Sequence, residues 1–177
     1  MRVDDLNVSE LLELGSGGGF IRFAGQRALI IDAEALGGLR KGLIEKLGET
    51  AARALLTRFG FVHGWRLAEA MRAQFKWATD TDWAHAGGRI QMLEGMFRLD
   101  ETASDPLSKE GATLLDSYEA EQHIAHLGRS DGTVCWTICG LLSGYLSCAM
   151  GQEMYVLEES CVGRGDNACH LFARTRE

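Results

Sequence analysis

Basic runs, long apolar stretches and an export signal are all missing from this chain, and each absence narrows what it can do. Lys and Arg total 18 against 25 Asp and Glu, a formal charge of −7 over 177 residues. They form no cluster, which excludes the electropositive face that grips a nucleic-acid backbone. No apolar run approaches the roughly 18 residues of a membrane-spanning helix. The N-terminus, M-R-V-D-D-L, lacks the basic, apolar and small-residue segments of a signal peptide, so the expected location is cytoplasmic. There five cysteines are free for metal binding or packing rather than for a disulfide framework. The glycine run Gly15–Gly19 lacks the Lys-Ser/Thr of a phosphate loop and precedes a strand rather than a helix, so it reads as a flexible joint. What is present is ordinary globular stock, 46% hydrophobic and 24% charged, enough for one sizeable core.

Along the chain, residues 5–14 suggest a short helix, and residues 19–23 and 27–32 two strands of a hairpin turned at A-G-Q. Asp32 is placed to cap a helix whose Leu36, Leu39, Leu43 and Leu47 recur every three or four residues, closed by Gly48. A longer helix follows from Ala51 to Phe75, with Gly60 and Gly64 as points of bending and His63 as a structural histidine. Trp83, Ala86, Ile90 and Leu93 predict another helix, ended by Gly95. A strand at M-F-R-L, a loop holding the only proline, Pro106, and a return strand at 112–116 come next. His123 and His126 stand three apart without the partners of a metalloprotease helix, so they read as exposed surface. Asp131 or Thr133 is placed to cap a helix over 134–150, whose stripe Gly140, Gly144 and Cys148 predicts tight packing against a sheet. The sum is an α+β chain, mixed helices packed on an antiparallel sheet.

Chemistry concentrates between Glu158 and His170, E-E-S-C-V-G-R-G-D-N-A-C-H. Cys161 and Cys169 flank a glycine turn between two strand-like runs, the make-up of a metal knuckle. A site closed by four protein ligands staples rather than catalyses. Cys135, at the start of a helix whose dipole favours a thiolate, is the best remote ligand. Cys148 reads as packing; Cys139, one turn past Cys135, is less clear. The fourth ligand stays open: Glu159 shares a strand face with Cys161, while Glu158 and His170 are alternatives.

The runs D-S-Y-E-A-E-Q-H (116–123), V-C-W (134–136), G-L-L-S-G-Y (140–145) and E-x-x-C-x-G-x-G-D-x-x-C, with L-G-x-L-R near Leu36 and L-L-T-R-x-G near Leu55, resemble one known family. It is the sensor domain of sigma-54-dependent bacterial activators that respond to phenol, toluene or xylene, whose C-terminal part is of the 4-vinyl-reductase class. The resemblance implies a structural Zn2+ on Cys135, Glu158, Cys161 and Cys169, choosing Glu158 over Glu159 through a bend before Cys161. It implies a small aromatic effector bound nearby, with Gln91 and Leu114 where phenol-responsive members carry histidine and tryptophan, hence benzene, toluene or xylene rather than phenol. Trp83, Met96, Tyr145 and Val156 are candidate pocket walls. It also implies an N-terminal dimerisation segment (1–35) ahead of the sensing domain (36–177), a homodimer, and control of an adjoining AAA+ ATPase domain that this chain lacks. No nucleophile, base pair or cofactor fingerprint marks an enzyme. An enzyme of this fold and a ligand-free interaction module are the competing classes.

Overall fold

The computed structural model describes residues 1–100, 108 and 110–175; the loop expected around Pro106 lies outside them. The N-terminal segment is not one helix. A 3-10 turn (Val3–Asp5) leads to α1 (Val8–Leu11), capped by Asn7, whose side chain accepts from the Glu10 amide, and the chain then extends as β1 (Leu12–Leu14). An isolated helix this short is marginal, and pairing supplies more: Leu12 meets Phe23 and Leu14 meets Ile21 of β2 (Ile21–Phe23). The expected hairpin forms between β2 and β3 (Gln26–Ala28), with positive φ at Ala24 and Gly25, the turn that matches strand twist. β3 stops at Ala28 because its partner begins at Ile21. Leu29, Ile30 and Ile31 are therefore not a strand but an exposed run, at 74%, 82% and 54% of full accessibility.

Asp32 caps α2 (Ala33–Leu47) by accepting from the Ala35 amide, and Gly48 closes it. The buried side of α2 carries Gly37 and Arg40, not the leucine stripe; Leu39 and Leu47 are exposed. The reason is the neighbour: a Cβ at Gly37 would press on Gln122 and His126, so the small residue faces the contact.

α3 (Glu49–Gln74) runs unbroken through Gly60 and Gly64. α4 (Asp80–Leu93) starts on a Thr79 cap and ends at Glu94, and Asp82 also accepts from the Val3 amide. Then come β4 (Arg98–Leu99), β5 (Ala112–Leu115), α5 (Tyr118–Leu127), α6 (Trp136–Met150), β6 (Met154–Ser160) and β7 (Cys169–Thr175). The last four strands form an antiparallel sheet in the order β4-β5-β7-β6. The expected class, helices on an antiparallel sheet, is what the chain adopts.

The small-residue stripe of α6 meets α3 rather than the sheet. Cβ atoms at Gly140 and Gly144 would run into the carbonyls of Thr57 and Phe61, and at Gly60 and Gly64 into those of Thr137 and Leu141. Glycines on both helices let two backbones touch, as bulkier pairs cannot. The other side of α6 faces the sheet with Ile138, Leu142 and Leu146. Two serines stitch it to β6: Ser143 Oγ accepts from the Val156 amide at 2.8 Å and Ser147 Oγ from the Met154 amide at 2.9 Å. Two clusters result. One surrounds Cys135, Cys161 and Cys169; the other gathers Leu6, Leu11, Ala24, Leu67, Met71, Trp83, Ile90 and Tyr145, so residues 1–35 share a core with α3, α4 and α6. Among the described residues no helix is long and apolar enough to cross a membrane.

Gly144→Ala is expected to lower stability by about 1–3 kcal/mol, the usual cost of overpacking. Gly38→Ala, where an added Cβ meets nothing within 4 Å, is expected to raise it by about 0.5–1 kcal/mol. Thermal melts of the two variants check the pair, and equal effects would refute the helix contact.

Candidate metal centre

Three segments converge below the N-terminus of α6. Cys135 is the residue that precedes the helix; Glu158 and Cys161 come from the end of β6; Cys169 opens β7. The turn between the last two is a 3-10 turn (Val162–Arg164) closed by Gly165 at φ 107°. Asp166 ties it by accepting from the Cys161 amide at 2.7 Å. Gly163 is required there, since a Cβ would strike Val134. Backbone amides point at the sulfurs, Val134 N–H to Cys161 Sγ and Val162 N–H to Cys169 Sγ, both at 3.4 Å.

The sulfurs lie 3.6 Å (Cys135–Cys169), 3.8 Å (Cys161–Cys169) and 4.0 Å (Cys135–Cys161) apart, and a Glu158 oxygen joins them with all four donors within 4.8 Å of one another. A tetrahedral ion with metal–sulfur bonds of about 2.3 Å has edges of about 3.8 Å, so the sulfur triangle has the size of a tetrahedron's face. Glu158 Oε2 accepts from the Cys135 amide at 2.9 Å, while its buried Oε1 has no partner. That orphan oxygen and three converging thiols are a donor set suited to a metal ion. Burial, then the neighbouring Cys161 charge, pushes the Glu158 carboxyl up to about 8. Hydrogen bonding to the Cys161 and Cys169 sulfurs, then burial, raises the Cys135 thiol well above its ordinary value.

Strand periodicity favours Glu159, and the backbone explains why Glu158 is the one that arrives. The register slips between Glu158, opposite Leu171, and Ser160, opposite His170; Glu158 keeps the inward face of Met154 and Val156, and the extra residue brings Cys161 round to that face, leaving Glu159 outward. Its side chain is 69% exposed and 3.5 Å from His170 Nδ1. Cys139 and Cys148 stay out of the cluster, partly buried along α6.

Periodicity missed a second polar group beside this one. His123, expected on the surface, is buried and its Nδ1 accepts from Arg40 Nε at 3.2 Å. Arg40 also donates to Glu119 Oε1 and to the Val134 carbonyl, each at 2.8 Å, and lies over the Trp136 ring at 3.9 Å. Glu119 in turn accepts from the Thr137 and Ile138 amides at 2.9 and 3.0 Å. The cap of α6 is thus this distant carboxylate, not Asp131 or Thr133. An arginine amid the leucines of α2 was the available signal.

The candidate pocket residues fall in two places. Leu114 and Val156, with Met96 against them, line the cluster around the sulfurs; Trp83 and Tyr145 belong to the other. Tyr145 donates its hydroxyl to the Trp83 carbonyl and Trp83 its indole N–H to the Ala68 carbonyl. Gln91 on α4 is fully buried, and neither amide atom has a partner.

Helices on one four-stranded antiparallel sheet, with a largely buried Cys3Glu donor set where the last two strands meet a helix, define a small α+β domain organised around a candidate metal site. The chain belongs to the family described as activator of aromatic catabolism, whose profile matches residues 7–105, and the 4-vinyl-reductase domain profile matches residues 115–175. It is similar to the transcriptional regulatory protein XylR of Pseudomonas putida, 28% identical over all of this chain and 32% of that protein. It is also similar to the phenol regulator MopR of Acinetobacter guillouiae, 31% identical over 88% of this chain and 29% of that protein. The chain therefore spans about a third of the length of these curated relatives, one named as a transcriptional regulatory protein and the other as a phenol regulator. Among solved structures, the phenol-responsive sensory domain of the activator PoxR with phenol superposes with a TM-score of 0.82 at 30% identity, over 96% of this chain and 87% of that one. A vinyl-4-reductase family protein from Methanocaldococcus jannaschii, with a TM-score of 0.52 at 18% identity over 85% of each chain, shares the fold alone.

Burial, then the Arg40 charge, holds His123 below its ordinary value of 6.5. A histidine kept neutral in the fold but free to protonate when unfolded adds stability above about pH 6.5 that is lost as pH falls below it. The melting temperature of the wild type is expected to fall more steeply from about pH 7 to pH 5 than that of His123→Gln, and parallel curves would refute the assignment.

Proposed function

We propose that this chain is the effector-sensing domain of an activator, that it binds one small monocyclic aromatic molecule, and that it controls an adjoining AAA+ ATPase domain in the cytoplasm. The observation that carries the reading is Gln91. Leaving an amide buried and unpaired costs about 1–3 kcal/mol, and an aromatic ring whose face meets the Gln91 N–H group recovers part of that cost. Leu114, Met96 and Val156 offer apolar surface, with Trp83 and Tyr145 as further walls. One amide amid such walls suits a ring of low polarity, so benzene, toluene or a xylene is preferred to phenol, unlike the phenol-bound PoxR domain. Binding shifts the domain between states only by its differential affinity for them. The cation is zinc, held by Cys135, Glu158, Cys161 and Cys169. Three thiolates and a carboxylate fill a tetrahedron and leave no place for a reactive water, so the ion's part is to fasten β6 and β7 to α6. Residues 1–35 serve as a dimerisation segment ahead of the sensing domain (36–177). The exposed run Leu29–Ile31 supports a homodimer, since an apolar run of this kind gains from being covered by a second copy.

A melting screen against benzene, toluene, xylenes, phenol and cresols tests the effector. At a hundredfold excess over Kd, binding to the native state adds about 2.7 kcal/mol, a rise of about 5–10 °C for a chain of this size. The monocyclic hydrocarbons are expected to lead, and Gln91→His with Leu114→Trp to move the preference toward phenol. Turnover of a bound ring would favour an enzyme; no shift with any ring would favour an interaction module. Metal analysis and light scattering of the same preparation are expected to find about one zinc per chain and twice the mass of a single chain. Cys161→Ser is expected to lose the zinc and unfold the β6–β7 lobe; a metal-free protein of undiminished stability would refute the centre.

A further inference from the structure

Arg40 and Glu119 are remote in sequence from the donor set, and nothing in metal coordination itself calls for them. Their contacts nonetheless converge on the segment that carries Cys135. Within residues 134–138, the Val134 amide donates to Cys161 Sγ and the Cys135 amide to Glu158, two bonds made by the donor set. The Val134 carbonyl accepts from Arg40, and the Thr137 and Ile138 amides donate to Glu119, three bonds made by the ion pair. Arg40 and Glu119 are joined at 2.8 Å, with side chains only 4% and 3% exposed. Glu158, Cys161 and Cys169 come from the β6–β7 unit, whereas Cys135 comes from the start of α6, so the direction of its sulfur depends on how the helix start is held.

We propose that Arg40 and Glu119 are positioning residues for the metal: a buried clamp that sets Cys135 at ligating distance from the other donors before an ion arrives. The inference rests on the zinc reading above and extends it from the ligands to the groups that aim them. A buried ion pair alone is weak evidence of anything beyond packing, because such pairs are often replaceable by apolar side chains. Here the two charged groups are spent on backbone atoms on either side of one ligand. Groups that orient metal ligands without touching the ion commonly govern its affinity about 10–100-fold.

Charge and geometry predict opposite outcomes for one variant, which makes the clamp testable. Three thiolates and a carboxylate around a divalent cation leave the site net negative. Metal binding releases protons from the thiols, so filling the site makes it more negative; removing the Glu119 charge would then strengthen metal binding if only electrostatics mattered, since Arg40 would stand uncompensated nearby. If geometry matters, the same change loosens the helix start and weakens binding. Zinc affinity is measured by competition with a chromophoric chelator on the wild type, Glu119→Gln and Arg40→Lys, with far-UV circular dichroism as the check on folding. Glu119→Gln is expected to weaken zinc binding about tenfold or more. Arg40→Lys, which keeps the charge and loses the planar fork, is expected to weaken it as well. Unchanged affinity in either folded variant, or tighter binding by Glu119→Gln, overturns the proposal. Arg40→Lys is the milder change and decides the matter if Glu119→Gln does not fold; loss of folding in both would show a purely structural pair and overturn it too. A wild type that takes up no zinc would instead remove the metal reading itself, a result the chelator assay separates from the others.

Discussion

A helix buried along most of its length cannot leave its first amides to water, and the start of α6 is where this chain meets that constraint. Residues 136–138 are all buried, so their N–H groups need acceptors from the protein. The Thr137 and Ile138 amides find theirs in Glu119 of α5, and the Cys135 amide just ahead of them finds Glu158 of β6. Those carboxylates bring their own requirements. Glu119 needs a cation and takes Arg40 from α2; Glu158 keeps one oxygen unpaired among three thiols. One cap thus draws α2, α5, β6 and β7 to a single point, and the donor set is assembled there.

The opposite side of α6 obeys a steric constraint instead of a polar one. Glycines alternate between α3 and α6 so that each rests on the partner's carbonyl, and this leaves the broad apolar side of α6 for the sheet. The helix therefore separates two clusters, one around the sulfurs and one shared with the N-terminal segment. Leu114 of β5 and Val156 of β6 share the cluster that surrounds the sulfurs, so the apolar face of the sheet and the donor set are packed as one unit.

Much is legible in the residues. Asp32, Gly48 and Gly25 of the hairpin turn behave as their residue types suggest, because caps and tight turns are decided by two to four neighbouring residues. The antiparallel class and the convergence of Cys135, Cys161 and Cys169 follow from spacing and thiol chemistry. The leucines of α2, the glycines of α6 and His123 depart from expectation for one shared reason. A helix's own repeat says which residues lie on the same face, whereas the neighbouring element decides which face is covered. Gly37 and Arg40 face α5; Gly140 and Gly144 face α3.

The choice of Glu158 shows the division most clearly. Local alternation in a regular strand points to Glu159. A one-residue slip of β6 against β7 reverses the alternation, and that slip belongs to the pairing of two strands rather than to either one. By itself the sequence determined the ligand chemistry, the turn that carries it, the caps of individual helices and the class of fold, since each depends on residues close together in the chain. Only the tertiary structure decided which carboxylate reaches the sulfurs, which arginine and glutamate bind the backbone at the start of α6, and which polar side chain is left unpaired in the interior, because burial and register are properties of contacts between distant segments.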